Sequence, residues 1–368
     1  STSARRESER LRQIPSEAAR CGMDELVVPV APATEPRFGP RDRTHRGGAE
    51  GEWLLIADEA DPLQRKHAIW QTLTMKLIFA IPVTMTALAA MAVVLGAGRR
   101  LEQTTLTTSW RWATASITAC TGAWILDGLL QTLSDEWARL MWLANAILLL
   151  CPAIAVLGAR RPGSRAWNWF VLVPLAAVLG WPALTIWGSG GKPGMLQLEG
   201  PALIGFVLAG VMGIGNYLGT RYRGAALLVG CAEILILLPL TSFQIAGVAD
   251  PWWLRLAGMA ALAIAVLIAR RAADQDARFP LGVDRVWSEF RDTFGIVWAQ
   301  RVQERVNARS IECGWPVRLA GDRFQWETGR SPPAAQEART EVEQTLRWLL
   351  RRFVNESWLD SRLGASGT

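Results

Sequence analysis

Seven long apolar stretches constrain the fold of this chain more than any other feature. Each is close to the roughly 20 apolar residues that a helix needs to cross a hydrocarbon layer about 30 Å thick. Such runs are too long for the ordinary buried helices of a globular core. The sequence therefore predicts an all-α polytopic membrane protein, with about seven transmembrane helices at residues 77–98, 113–133, 140–159, 167–187, 201–220, 225–248 and 253–269.

Polar sequence flanks the apolar block on both sides. Residues 1–60 mix charge with proline and glycine without a sustained period, which predicts a disordered N-terminal tail. The transmembrane helical domain is expected at residues 61–271, and Asp61 followed by Pro62 predicts the start of its first helix. Residues 272–368 are then expected to form a small cytoplasmic C-terminal domain.

The predicted C-terminal domain has an α-hairpin-α pattern. Apolar residues from Val283 to Val306 recur every three or four positions, which predicts an amphipathic helix too polar to span a membrane. Alternating residues on either side of Gly321 predict a hairpin, and a last helix opens at Pro332. We expect the two helices to pack through Phe290, Phe294 and Trp298 against Leu346, Leu349 and Phe353. The alternative is a first helix lying on the membrane surface.

Basic residues orient the predicted spans. Arginines follow spans one, three, five and seven, whereas the other connectors carry few, so the positive-inside rule predicts a cytoplasmic C-terminus. Seven spans would then put the N-terminus outside, although the bases before span one balance those after it and a miscounted helix would reverse that end. The expected location is the bacterial cytoplasmic (inner) membrane. Because this pattern explains the net charge of +6, no nucleic-acid partner is predicted.

Several kinds of chemistry are absent from the sequence. Both histidines, His45 and His67, precede the first span, so histidine-dependent haem, zinc or protease sites are not expected at membrane depth. The five cysteines form no CxxC pair, which argues against a disulfide framework or a structural zinc site. We therefore predict no cofactor and no metal, and expect only the lipid bilayer and a protein partner, the latter bound through the C-terminal domain.

Two carboxylates inside the apolar block are the main candidate binding residues. Glu233 lies near the middle of span six and Asp127 in the outer part of span two, with no basic partner expected at that depth. Intramembrane acids are costly, so proton coupling or binding of a cationic or polar group is the default hypothesis. The alternative is a hydrogen-bonded carboxyl that pins two helices together. Asn145 and Gln244 can join Asp127 in an outer polar pocket, or can form interhelical hydrogen bonds.

Tryptophans gather at the predicted ends of the spans, where indoles favour the headgroup boundary. The alternative to this anchoring role is an aromatic ligand box made of Trp181, Trp187, Trp252 and Trp253.

Three functions fit these observations. The first is a non-enzymatic permease-like or complex-assembly subunit whose cytoplasmic tail docks a partner. The second is a seven-helix receptor or sensor with an outer ligand pocket. The third is a membrane enzyme that acts on a lipid through Asp127 or Glu233, which is disfavoured because a lone carboxylate has no second catalytic group beside it.

Overall fold

The structure is a computed structural model. It describes residues 62–159, 164–188, 196–241, 250–275, 279–327 and 332–364. This part of the chain is mostly helical, as the sequence predicts. The predicted disordered tail and the candidate residue Gln244 lie outside the described residues.

The apolar block folds into helices that follow the predicted spans. The first begins at Pro62, as expected, and the helices range from 15 to 40 residues in length. Their bounds are α1 Pro62–Leu101, α2 Thr107–Ala123, α3 Asp135–Leu157, α4 Ser164–Gly188, α5 Gly200–Leu218, α6 Arg223–Leu237 and α7 Pro251–Asp274. A π-helical segment, Trp124–Leu129, continues α2, and a 3-10 turn, Leu238–Leu240, continues α6.

Five helical stretches in the described residues are long and apolar enough to cross a membrane, by length and composition. They are Thr74–Leu101, Asp135–Leu157, Gly200–Leu218, Arg223–Leu240 and Pro251–Asp274, which correspond to predicted spans one, three, five, six and seven. Together they indicate a membrane location. Predicted spans two and four fall on α2 with its π-helical segment and on α4, in which only a shorter apolar helix, Trp169–Leu184, is found by the same criterion.

The sixth span is shorter than predicted. The sequence predicts residues 225–248, whereas the helix ends in the 3-10 turn at Leu240. Pro239 lies in that turn, and its lack of a backbone N–H favours the change from α-helix to 3-10 turn. Residues 242–248 of the predicted span lie outside the described residues. Thr241 then forms an isolated bridge with Leu198, two residues before the start of α5.

The apolar helices have a packed interior and an apolar exterior. Trp124, Trp142 and Phe206 are among the large side chains buried between them. Many large apolar side chains on the outward faces are exposed, including Met85, Met212 and Ile264. An exposed apolar surface of this extent is costly in water and fits a lipid environment.

The C-terminal elements follow the predicted order. Their bounds are α8 Val283–Cys313, β1 Val317–Ala320, β2 Arg323–Trp326, α9 Pro332–Leu350 and α10 Glu356–Leu363. The two strands pair antiparallel, with Val317 opposite Trp326. Gly321, at φ 61°, forms the turn between them, a conformation that glycine adopts without a steric penalty. The short helix α10 was not predicted.

Aromatic side chains of α8 form the centre of the C-terminal core. The Phe353 ring lies 5.3 Å from Phe290, 5.3 Å from Phe294 and 5.0 Å from Trp298, measured between ring centroids. Phe290 and Phe294 are completely buried, so this face of α8 packs in protein, as predicted, and not on a lipid surface. Leu346 and Leu349 of α9 belong to the same core.

The same core extends into the apolar helices. Leu106, before α2, and Val156 and Ala159, at the end of α3, cluster with the C-terminal aromatic residues. Residues His67–Thr368 form one compact unit.

Candidate functional site

Glu233 of α6 has an unusual environment for a carboxylate. Its side chain is buried, at 7% exposure, in a helix whose other residues are mostly apolar. Within the described residues neither carboxylate oxygen has a hydrogen-bond partner. A buried polar atom without a partner is rare and costs free energy, so it calls for an explanation. The sequence also allowed a Glu233 carboxyl that holds two helices together through a hydrogen bond, and the described residues do not form such a bond.

Glu233 lines a cavity of about 560 Å³, a volume typical of small-molecule sites. Side chains of α2, α3, α5 and α6 form most of its wall, and nearly all of them are apolar. Ser116 of α2 also lines it, buried at 2% exposure, and its hydroxyl has no partner among the residues described. The cavity therefore combines an apolar wall with two unsatisfied polar groups.

The cavity opens on the outward face of α5 and α6. Val207, Val211 and Ile234 line it and are also 56%, 62% and 63% exposed, respectively, so they form its rim. This face is part of the exposed apolar exterior of the described helices. Gly210 lines the cavity as well, and a Cβ atom placed there would have no atom within 4 Å. The missing side chain leaves part of the space open.

Asp127 is paired, contrary to the prediction that it has no basic partner at its depth. Arg255 of α7 places Nη1 2.5 Å from its Oδ2, and Trp142 of α3 donates its indole N–H to the same oxygen at 2.7 Å. Both charged side chains are 13% exposed. Because α7 begins at Pro251, Arg255 lies within the first turns of that helix, at the level of Asp127.

The π-helical segment holds Asp127 among packed tryptophans. Trp252 donates its indole N–H to the Gly128 carbonyl at 2.8 Å, and its ring lies 5.7 Å from that of Trp124. Trp124 in turn donates to the Thr84 hydroxyl of α1 at 2.9 Å. π-Helical segments are frequent at functional sites. Here the hydrogen bonds tie α1, α3 and α7 around the segment, which makes this cluster a structural junction.

Of the other predicted site residues, Asn145 is described and does not line the cavity. It is buried at 2% exposure on α3, one turn beyond Trp142. Gln244 lies outside the described residues. For the proposed aromatic box, Trp252 is buried against its neighbours whereas Trp181 is 66% exposed on α4, and the side chain of Trp187 is not among those described.

A connection that sequence reasoning missed joins α5 to α8. Gly295 interrupts α8 with φ 80° and ψ 176°, and the Asn216 side chain fills the break. Asn216 donates through Nδ2 to the Phe294 carbonyl at 3.3 Å and accepts at Oδ1 from the Val297 N–H at 3.0 Å. Tyr217, which lines the Glu233 cavity, donates its hydroxyl to the Thr293 carbonyl at 3.3 Å.

Two further contacts reinforce this connection. Arg291 donates to the Gly219 carbonyl, and Asp292 accepts from the Arg221 backbone N–H at 3.1 Å while pairing with its guanidinium at 3.3 Å. The sequence signal was a lone glycine inside an amphipathic helix and a lone asparagine at the end of an apolar one. Neither residue alone indicates the other as its partner.

Comparison with protein-family models, with curated proteins and with solved structures finds no match for this chain. Its function is accordingly argued from its own residues.

Proposed function

We propose that this protein is a multi-pass, non-enzymatic membrane protein, a permease-like or complex-assembly subunit, whose Glu233 cavity admits an apolar molecule from the lipid phase. The observation that carries this proposal is the cavity itself. It is apolar, opens between exposed side chains of α5 and α6, and holds a buried carboxylate without a partner among the described residues. A stable folded chain retains such a group where it serves a ligand or a proton.

Helix contacts support predicted span two as a membrane-crossing helix, in addition to the five long apolar stretches. The α2 helix and its π-helical extension run antiparallel to α1, because Trp110 donates its indole N–H to the Val94 carbonyl and Trp124 donates to Thr84. These contacts lie 14 residues apart on α2, or about 21 Å at 1.5 Å per residue. A helix that follows α1 over this distance crosses the same depth.

The α4 helix supplies the remaining span of a seven-helix arrangement. Leu179 of α4 is completely buried, and its Cδ2 atom lies 2.8 Å from the position that a Cβ atom would take at Gly205 of α5. Ile147 of α3 lies 3.8 Å from the equivalent position at Gly180. Since the middle of α4 lies against the middle of both α3 and α5, we propose that it crosses with them.

Charge at the two ends of the helices supports a cytoplasmic C-terminus. Arg100, at the end of α1, pairs with Asp274 at the end of α7, and α8 docks at this same end through Arg221 and Asp292. At the opposite end Lys76 pairs with Asp250. The basic connectors therefore lie with the C-terminal elements, which the positive-inside rule assigns to the cytoplasmic side, here of the bacterial inner membrane.

The C-terminal elements offer a surface for a protein partner. A groove of about 720 Å³ lies between α8 and α9 and is lined by Arg305, Glu312, Trp315 and Trp348. Trp348 is 47% exposed, and exposed tryptophans are enriched in interface hot spots. We propose that a partner subunit docks there. A subunit that co-purifies stoichiometrically with the wild type, but not with Trp348→Glu, would support this, whereas equal recovery would contradict it.

The receptor alternative receives less support. It requires an outer pocket near Asp127, but that carboxylate is already bound by Arg255 and Trp142. An outer ligand would have to displace a partly buried ion pair.

Photolabelling tests the cavity. A neutral alkyl diazirine is added to proteoliposomes, and labelled residues are mapped by mass spectrometry after irradiation. We expect labelling at buried Glu233, with lipid-exposed Met212 as the internal reference. Gly210→Leu fills the cavity and should reduce Glu233 labelling relative to Met212.

Gly215→Leu is the matched control. It adds the same side chain to the same helix, where a Cβ atom meets nothing within 4 Å, at a residue that does not line the cavity. Its labelling ratio should equal that of the wild type. Equal ratios in the two variants would contradict the proposal.

A further inference from the structure

We propose that the Glu233 cavity selects apolar molecules that carry one protonated amine, with the ammonium bound by the Glu233 carboxylate and the Ser116 hydroxyl. This inference rests on the proposed function, because it names the class of ligand that the same cavity takes. It follows from the charge of the wall, the hydrogen-bonding state of its polar groups and the apolar remainder of the space.

The charge of the wall favours a cation. Among the described residues that line the cavity, Glu233 is the ionisable acid, and none is lysine, arginine or histidine. An ionised carboxylate in an apolar space needs a positive partner, and the protein residues described here provide none. A phosphate or carboxylate headgroup would meet repulsion without compensation. One acid matches one positive charge.

The other hydroxyl groups in the described wall already donate hydrogen bonds to backbone carbonyls. Ser109 donates to the Pro152 carbonyl at 2.8 Å, Thr241 to the Leu238 carbonyl at 2.8 Å, and Tyr217 to Thr293. Glu233 and Ser116 remain as buried groups without a partner in the described part of the cavity. A primary ammonium has three N–H donors, enough for both carboxylate oxygens and one hydroxyl.

The apolar remainder of the cavity separates an organic amine from an inorganic cation. Ca²⁺ takes six to eight oxygen ligands and Mg²⁺ takes six. The described residues contain no cluster of three or more metal-ligating side chains. An inorganic ion would also leave the apolar wall in contact with empty space. An alkyl or aryl body attached to the ammonium fills that space and enters through the rim of Val207, Val211 and Ile234.

Two probes that share one apolar body test this assignment. They are 9-(aminomethyl)anthracene, which is positively charged at neutral pH, and 9-(hydroxymethyl)anthracene, which is neutral. Binding to the purified full-length chain in lipid nanodiscs is measured by fluorescence titration, with empty nanodiscs subtracted. We expect the amine to bind wild type about tenfold more tightly than the alcohol, as charge-assisted hydrogen bonds predict.

Glu233→Gln keeps the shape of the side chain and removes its charge. In this variant the affinity for the amine should fall to that of the alcohol, whereas the affinity for the alcohol should stay near its wild-type value. The alcohol therefore also reports that the variant is folded. If the amine retains its advantage in Glu233→Gln, or has none in the wild type, the ligand class is wrong.

The cavity variants separate that failure from failure of the proposed function. Gly210→Leu should weaken both probes and Gly215→Leu neither. If Gly210→Leu binds both probes as the wild type does, or the wild type binds neither, the cavity proposal is overturned together with the ligand class. If Gly210→Leu weakens both probes while Glu233→Gln changes nothing, the cavity stands and the amine assignment alone falls.

Discussion

Asp127 and Glu233 are similar in sequence context but differ in their surroundings. Each is a single acid in an apolar stretch. Asp127 accepts hydrogen bonds from Arg255 and Trp142, whereas Glu233 has no partner among the described residues. A satisfied ion pair holds helices together, while an unsatisfied carboxylate is available to a ligand. The functional hypothesis therefore rests on Glu233, and Asp127 becomes a structural residue.

The Asp127 ion pair should matter for stability. Arg255→Met leaves the partly buried Asp127 without its positive partner. Since loss of one member of a fully buried pair costs about 3–5 kcal/mol, we expect a loss of about 2 kcal/mol here. We expect a clear fall in the thermal unfolding temperature of the detergent-solubilised protein. Arg100→Met, in an exposed pair with Asp274, should change stability by about 1 kcal/mol or less. Equal losses in the two variants would show that the Asp127 pair is not buried as described.

Gly295 should not tolerate a side chain. Its φ of 80° and ψ of 176° lie in a region that is essentially restricted to glycine, and a Cβ atom would lie 2.2 Å from Asn216 Nδ2. We expect Gly295→Ala to lose about 1–3 kcal/mol from backbone strain, with the collision in addition. Thermal unfolding and limited proteolysis of α8 measure the effect. Gly215→Ala has free space for the methyl group and serves as control; an equal effect there would refute the explanation.

The start of α7 depends on an ionised cap. Asp250 accepts the Trp252 N–H at 3.0 Å, and its other oxygen pairs with Lys76 at 3.1 Å. Partial burial raises the pKa of Asp250, but these hydrogen bonds and the Lys76 charge outweigh it, so the pKa lies below its ordinary value. The folded state therefore binds this proton less tightly than the unfolded state does.

The lowered pKa of Asp250 predicts a pH dependence. The stabilisation is present above the unfolded pKa of about 3.9 and is lost as pH falls through that value towards the folded pKa. Asp250→Asn retains a good helix cap but cannot titrate. We expect its unfolding temperature to fall less than that of the wild type between pH 5 and pH 3. The same fall in unfolding temperature for Asp250→Asn as for the wild type would contradict the prediction.

The break in α8 shows how one element can serve two environments. Phe290 and Phe294 before Gly295, and Trp298 after it, fill the C-terminal core. Ile296 and Val297 at the break are instead 36% exposed, and Ile296 lies against Gly219 beyond α5. Because Asn216 closes the break by hydrogen bonding on both sides, the two parts of α8 stay in fixed register with α5.

At the scale of the whole molecule, the C-terminal core of the described residues also takes in side chains from the apolar helices and their connectors. Val156 accepts the indole N–H of Trp298 at 3.0 Å, and Thr105 donates to the Ala159 carbonyl while its own N–H donates to Phe353. Cutting the chain at residue 271 would expose these contacts. The full chain is thus the proper material for measurements of stability or binding.

Membrane orientation can be tested with single cysteines in the full chain. Each protein tested keeps one cysteine, with every other cysteine replaced by alanine. Intact cells that contain it are treated with a membrane-impermeant maleimide. A cysteine introduced by Ser134→Cys, exposed before α3, should label, because it lies at the end opposite the C-terminal elements. Native Cys313, exposed at the end of α8, should label only after permeabilisation. The reverse pattern would overturn the proposed cytoplasmic C-terminus.

The sequence by itself determined most of the described elements, but not α10, the π-helical segment or the end of α6. Hydrophobic length marked the membrane helices, proline marked the start of α1 and of α9, and period and turn residues marked α8 and the hairpin, because each of these signals acts between residues close in the chain. Helix ends inside apolar runs were less accurate, as the shortened α6 shows.

Only the tertiary structure decided which groups meet. Arg255 is 128 residues from Asp127, and Gly295 is 79 residues from Asn216, separations over which no periodic pattern reports contact. The cavity likewise arises where α2, α3, α5 and α6 fail to fill the space between them, and a void has no residues of its own to mark it. The sequence identified Glu233 as an unusual residue, and packing determined that it faces a space instead of a partner.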